Sequence, residues 1–279
     1  MPKRSTDGCG ATTANGRVKV DAELTLDVPG GAINATLRTP RQLSQHPALL
    51  INLGGSAQAA LNEQPYCIAA DIFLAAGHHV VSFDLPCHGR RGSEYGGGLS
   101  GMAKAIAAGV DVFGNIQDTG RVLISRCIDE GRIGPHAVLV HGTSRGGLAA
   151  FHVAAADRRV LAVAAQVPVT HIPALEEFAH LDGNEIIEHA NAAALIPRLA
   201  DRPVFVAVGA VDTRVGEQHC FDFCAALDAA SNATTSLFTA PGRSHGGGDP
   251  DELRFPTELG YQAGAAFLLQ HFAQSAKAN

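Results

Sequence analysis

The chain has 279 residues, and 46% of them are hydrophobic, which is enough for one large domain or two small ones. The formal net charge of −6 and the absence of long Lys/Arg clusters exclude an ordinary nucleic-acid surface. No apolar run approaches the roughly 18 residues of a membrane helix. We therefore predict a globular protein with neither a nucleic-acid nor a membrane partner.

The N-terminal part of the chain contains two different segments. Residues 1–17 are polar, small and glycine-containing, and we predict that they are disordered. Residues 18–27 and 32–38 alternate as a β-hairpin does around a Pro-Gly-Gly turn. The start of the chain is basic but has no apolar segment of the secretory type, so we expect a cytoplasmic protein, although a removed leader would leave no trace.

Apolar runs typical of strands then alternate with helical segments, and no linker divides residues 18–279, so we predict one domain. The runs begin near residues 48, 79, 137, 160, 204 and 234. The helical segments cover residues 65–76, 109–130, 144–156, 218–230 and 257–273. This alternation predicts an α/β fold, a mainly parallel sheet with helices on both faces that binds ligands beyond the carboxyl ends of its strands.

One of these runs leads directly into a serine flanked by glycines. The sequence is Gly142-x-Ser144-x-Gly146, and a helical run of small residues follows at once. This is the strand–turn–helix context of a nucleophile elbow, whose sharp turn leaves no space for flanking side chains. We predict Ser144 as a nucleophile; the alternative is a glycine-rich turn that happens to contain serine.

A serine nucleophile needs a base and an acid that orients the base, and two later loops supply both. One apolar run leads to Asp212, and the next leads into a glycine-rich loop with His245. Asp222 and Asp228 are rival acids, but they lie on the predicted following helix. The alternatives are a turn-forming role for Asp212 and a surface position for His245.

Two further stretches carry a family resemblance. Residues 80–90 contain the pattern D-x-P-x-H-G, and residues 118–133 end in D-x-x-R-I before the elbow strand. With the elbow, they resemble α/β-hydrolase-fold serine hydrolases, in the branch of dienelactone hydrolases and prolyl-oligopeptidase-like esterases, over roughly residues 45–275. The resemblance implies a twisted α/β-hydrolase sheet and a catalytic triad of Ser144, Asp212 and His245.

Acyl transfer also requires backbone N–H groups that stabilise the developing oxyanion. The elbow geometry makes the amide of Arg145 one donor. The second is expected in the loop after the run that begins near residue 48, where we favour Gly55 over Ser56. Many relatives have His-Gly at this place, so the sequence departs from the family pattern there. The alternative is a plain glycine turn.

Residues 170–199 interrupt the simple alternation with about 30 residues of short helical pieces. In this fold such an insertion commonly forms a small helical cap, which would place His171, Phe178 and Leu181 in the substrate pocket. Ser56 is a further candidate pocket residue. The alternative is an ordinary crossover with one extra helix.

The sequence offers little support for a bound metal or cofactor. CxxC, HxH and HExxH spacings and a phosphate-binding loop are absent, and the GxGxxG at residues 96–101 follows a polar loop instead of a strand. We predict no metal and no cofactor. Six scattered cysteines do not suggest a disulfide framework.

Three classes of function follow from these observations. We favour a carboxylesterase-like hydrolase that cleaves a small-molecule ester, thioester or lactone through an acyl-enzyme. An amidase or aminopeptidase-like enzyme, a carbon–carbon bond hydrolase or an acyltransferase on the same fold is the second class. The third is a non-catalytic binding protein, against which the complete set of triad residues argues. A homo-oligomer is compatible with the sequence, which leaves the oligomeric state open.

Overall fold

A computed structural model describes residues 20–245 and 258–278 of the chain. The predicted disordered segment, residues 1–17, lies outside the described residues. The described residues contain one large hydrophobic core that includes side chains from the sheet and from the helices. No helix among them is long and apolar enough to cross a membrane.

The described strands form a single sheet of eight strands. The strands are β1 (Val20–Val28), β2 (Gly31–Thr39), β3 (Leu49–Leu53), β4 (His79–Phe83), β5 (Val138–Thr143), β6 (Val160–Gln166), β7 (Val204–Gly209) and β8 (Thr235–Ala240). Their order in the sheet is β1-β2-β4-β3-β5-β6-β7-β8. The hairpin β1–β2 and the pair β2–β4 are antiparallel, and all other pairs are parallel. The predicted, mostly parallel α/β-hydrolase sheet is confirmed.

Helices cover this sheet. They are α1 (Ala57–Asn62), α2 (Ile68–Ala75), α3 (Gly98–Ala107), α4 (Val112–Asp129), α5 (Arg145–Ala156), α6 (Glu185–Ala190), α7 (Ala192–Leu199), α8 (Glu217–Ala230) and α9 (Glu258–Ala278). Helices α2 and α9 pack on each other and on the sheet, and α4, α5, α7 and α8 form a second group of neighbours. Every residue of β3, β4, β5 and β7 is buried, as expected for parallel strands that are covered on both faces.

Two histidines are buried in the core as neutral groups. His141 contacts the Asn52 side-chain oxygen through Nδ1 at 2.6 Å, and its Nε2 is buried without a partner among the described residues. His152 contacts the Gln117 side-chain nitrogen through Nδ1 and the Ala190 carbonyl through Nε2, both at 2.9 Å. Burial lowers the pKa of His141 to about 3 and that of His152 to about 4.

These histidines make the free energy of unfolding depend on pH. Below about pH 6.5 the unfolded chain binds protons that His141 and His152 exclude in the folded state, so stability is lost as the pH falls. Each group contributes a slope of about 1.4 kcal/mol per pH unit. Urea unfolding at pH 7, 6 and 5 measures this slope. We expect His152→Gln to remove the contribution of one histidine to this slope. Equal free energies of unfolding at pH 7 and pH 5 would contradict the prediction.

Candidate active site

Ser144 occupies a sharp turn between β5 and α5. Its backbone has φ +56° and ψ −118°, a conformation that non-glycine residues rarely adopt. A Cβ at Gly142 would overlap the carbonyl of Gly146, and a Cβ at Gly146 would overlap the carbonyl of Leu53. Both flanking glycines are therefore needed for the turn that presents the Ser144 hydroxyl at the carboxyl end of β5.

The imidazole of His245 contacts this hydroxyl. His245 lies in the loop after β8, and its Nε2 is 3.0 Å from Ser144 Oγ. The side chain is partly buried, with a relative exposure of 19%. Because Nε2 faces the hydroxyl, it is the ring nitrogen placed to accept the serine proton.

A buried carboxylate holds the other side of the same ring. Asp212 lies after β7 and has no exposed surface, and its Oδ2 is 3.0 Å from His245 Nδ1. Its Oδ1 accepts backbone N–H groups from Arg214 at 3.0 Å and Val215 at 3.2 Å. These contacts orient the carboxylate, which in turn favours the tautomer with a proton on Nδ1 and a free lone pair on Nε2.

The rival acids lie elsewhere. Asp222 and Asp228 are exposed on α8, and Asp222 Oδ1 accepts a hydrogen bond from the Gln218 side chain at 2.8 Å. Asp212 is thus the carboxylate that the structure places on His245. Its role in a reaction stays a prediction, as do those of Ser144 and His245.

A cavity of about 400 Å³ opens beside Ser144. Gly55, Ser56, Arg145 and His245 are among its lining residues. Among the residues that the structure describes, no acceptor is found for the backbone N–H groups of Gly55, Ser56 or Arg145. The position of Arg145 and Gly55 is therefore compatible with the predicted oxyanion hole, and Ser56 stays the alternative second donor.

Asp84, at which the D-x-P-x-H-G pattern begins, has a structural role that the pattern alone does not indicate. Its side chain is buried, and it accepts the N–H of Ala57 through Oδ1 and that of Arg90 through Oδ2, both at 2.7 Å. Asp84 thereby ties the loop that carries Gly55 to the loop that follows β4. The same pattern includes His88, whose ring would lie 2.9 Å from a Cβ at Gly55.

The predicted pocket lining requires a correction at three positions. Phe178 and Leu181 are buried in the hydrophobic core, and the ring of His171 packs against that of His219 in a tilted arrangement, with ring centroids 4.6 Å apart. None of the three lines the cavity beside Ser144, whereas Ser56 does. The reason is that the 3₁₀ helix at Glu176–Leu181 packs against α3, which turns its apolar side chains into the core.

The 170–199 segment nevertheless contacts the loop that carries the acid. Glu177 receives two hydrogen bonds from Arg214 Nη2, at 2.6 and 2.8 Å, and Arg214 lies two residues after Asp212. The same 170–199 segment also contains helices α6 and α7, and α7 packs on α5 and α8. These contacts fasten the segment to the body of the domain; its predicted role as a cap stays untested.

The described residues offer no evident metal site. In the ranges 20–245 and 258–278, no group of three or more His, Cys, Asp or Glu side chains is placed to hold a metal ion. The expectation that the protein needs neither a metal nor a cofactor remains a prediction.

The sheet order and the serine elbow together define an α/β-hydrolase fold. Residues 122–275 match the prolyl oligopeptidase family, peptidase S9. Because the match covers more than half of the chain, the protein belongs to the prolyl oligopeptidase family and is a hydrolase by class. No curated protein sequence matches the chain.

Solved structures with the same fold include both peptidases and esterases. A puromycin-hydrolyzing peptidase from Mycobacterium tuberculosis superposes with a TM-score of 0.69 at 17% identity, over 91% of this chain and 39% of the peptidase. A cold-adapted esterase from an Arctic intertidal metagenomic library gives 0.66 at 17% identity, over 97% of this chain and 99% of the esterase. Acetyl xylan esterase 1 from Thermoanaerobacterium gives 0.64 at 18% identity, over 96% and 86%.

These likenesses show the fold alone, because every identity is low. The chain also spans only 36% to 40% of the length of five peptidase and puromycin hydrolase structures that share the fold.

Proposed function

We propose that the protein is a serine esterase that cleaves small carboxylic esters, thioesters or lactones. The observation that carries the proposal is the continuous hydrogen-bonded arrangement of Ser144, His245 and Asp212 beside a cavity of about 400 Å³. This arrangement supplies a nucleophile, a base and an orienting acid, which are the parts that acyl transfer requires.

The proposed reaction has two halves. Ser144 Oγ attacks the substrate carbonyl while His245 Nε2 takes its proton, and the backbone amides of Arg145 and Gly55 stabilise the oxyanion. Removing one such donor typically costs about 3–4 kcal/mol of transition-state stabilisation. His245 then protonates the leaving group, which departs and leaves an acyl-enzyme on Ser144. A water molecule, activated by the same imidazole, releases the acid in the second half.

Esterases and peptidases both occur among the solved structures that share the fold. An amidase or aminopeptidase-like activity is the second candidate, because the family match and the puromycin-hydrolyzing neighbour both favour it. A binding protein without activity is the least supported class, because the side chains of Ser144, His245 and Asp212 are assembled as acyl transfer requires.

A comparison of substrates with the same acyl group tests the proposal. Activated esters are cleaved by many serine peptidases, so the informative pairs are an alkyl ester and an anilide of one fatty acid, and an alkyl ester and an anilide of one amino acid. We expect turnover of the esters and of simple lactones but not of the anilides. Faster cleavage of the aminoacyl anilide would replace the esterase by the peptidase assignment. If a fluorophosphonate does not label the protein, both the esterase and the peptidase assignments are refuted.

A further inference from the structure

The side chain of Arg145 adds a positive charge to the cavity wall. Arg145 follows Ser144 directly, is partly buried and lines the cavity beside it. Its Nη1 lies 2.8 Å from Nε2 of His88. Among the described residues, no carboxylate forms an ion pair with this guanidinium.

The partner of Arg145 is a neutral imidazole. His88 Nδ1 lies 2.8 Å from the carbonyl oxygen of Pro86, which can only accept, so Nδ1 carries the proton. Burial, assisted by the charge of Arg145, lowers the pKa of His88. Nε2 therefore accepts a hydrogen bond from Arg145 and fixes the guanidinium without neutralising it.

The neighbouring carboxylates are already engaged. Glu177 is held by two hydrogen bonds from Arg214, and Asp212 by His245 and two backbone N–H groups. Glu63 lines the same cavity, but it is exposed and forms no ion pair with Arg145 among the described residues. Glu177 also acts on Arg145 electrostatically, but it forms its ion pair with Arg214. The guanidinium therefore lines the cavity without an ion-pair partner among the described residues.

We propose that Arg145 binds a carboxylate group of the substrate, so that the preferred substrates are esters that carry a second, acidic group. This inference rests on the proposed esterase function. A guanidinium has five N–H donors in a planar fork, and its single hydrogen bond to His88 leaves others for a carboxylate. Partial burial strengthens such a charge-assisted bond, and its position next to Ser144 sets the distance between the acidic group and the ester.

The experiment compares two esters that differ in one charge. They are mono-4-nitrophenyl adipate, whose free carboxylate is ionised at pH 7.5, and the methyl ester of the same compound, which is neutral. We expect the wild-type protein to have a kcat/KM at least about 10-fold higher for the acidic ester, since hydrogen bonds to charged groups are typically worth that much. Arg145→Gln is expected to reduce the ratio of the two values to about one, and Arg145→Lys to restore part of it.

Arg158→Gln is the matched control. Arg158 is exposed just beyond the other end of α5, so this substitution removes the same charge from the protein but not from the cavity. We expect it to keep the wild-type ratio. Because the neutral ester reports the loss common to both substrates, a general defect of the Arg145→Gln protein cancels in the ratio.

Equal kcat/KM values for the two esters in the wild type, or an unchanged preference in Arg145→Gln, would overturn the inference and leave the esterase function intact. If neither ester is cleaved and a fluorophosphonate does not label the protein, the proposed function has failed. An NMR titration with the unreactive monoamide of adipate then decides the inference separately. Weaker binding to Arg145→Gln than to the wild type supports it, and equal binding or no binding overturns it.

Discussion

Replacing Ser144 by alanine is expected to abolish covalent labelling by a fluorophosphonate and to lower kcat by at least about four orders of magnitude. The reason is that Ser144 Oγ is the oxygen 3.0 Å from His245 Nε2, so its removal leaves the base without a nucleophile. The fold should persist, because the strained turn is set by Gly142 and Gly146. Gel-based labelling, ester turnover and far-UV circular dichroism measure the three expectations.

Ser56→Ala provides the control for this experiment. Ser56 lines the same cavity, but its hydroxyl accepts the N–H of Ala59 at the start of α1 and has no contact with His245 among the described residues. We expect the Ser56→Ala protein to be labelled as the wild type is. Burst acylation that persists in Ser144→Ala would show that another side chain is the nucleophile.

Most of the sheet could be predicted because its strands are short apolar runs bounded by turns. The predicted starts near residues 79, 160 and 204 coincide with β4, β6 and β7. The order of the strands in the sheet was not predicted and is given by the structure. Sequence periodicity reports how one segment is buried, and it carries no information on which neighbour a strand pairs with.

Helix α3 was missed because its sequence resembles a loop. It begins at Gly98, after a glycine-rich stretch, and glycine disfavours helix formation. Tertiary packing compensates for this, since Leu99, Met102 and Ile106 are buried in the core. Similarly, α1 has only six residues, too few for a periodic pattern to be recognised.

The candidate site likewise contains residues that the sequence could predict and contacts that it could not. The sequence could predict that Ser144, Asp212 and His245 lie close together, because each follows a parallel strand and such strands end at one edge of the sheet. The contact between Arg145 and His88 joins residues 57 positions apart and follows no spacing rule. The placement of Phe178 in the core also depended on packing, here between the 170–199 segment and α3.

The acid allows the sharpest test of the proposed triad, because an isosteric change isolates its effect. Asp212→Asn is expected to lower kcat by roughly 10⁴-fold, as in other Ser–His–Asp triads, with little change in KM. Asparagine can still accept the N–H groups of Arg214 and Val215, so the loop should keep its conformation and the protein most of its stability. Steady-state kinetics and urea unfolding of the same preparation measure both.

The physical reason for this loss is the tautomer of His245. Asparagine can place an N–H group where Asp212 Oδ2 now accepts from Nδ1, which favours a ring with its proton on Nε2 and removes the lone pair that faces Ser144. It also removes the negative charge that stabilises the imidazolium in the transition state. Asp222→Asn is the matched control, since this exposed residue loses the same charge away from the imidazole. If Asp212→Asn keeps more than about a tenth of the wild-type kcat while Asp222→Asn does not, the acid has been placed wrongly.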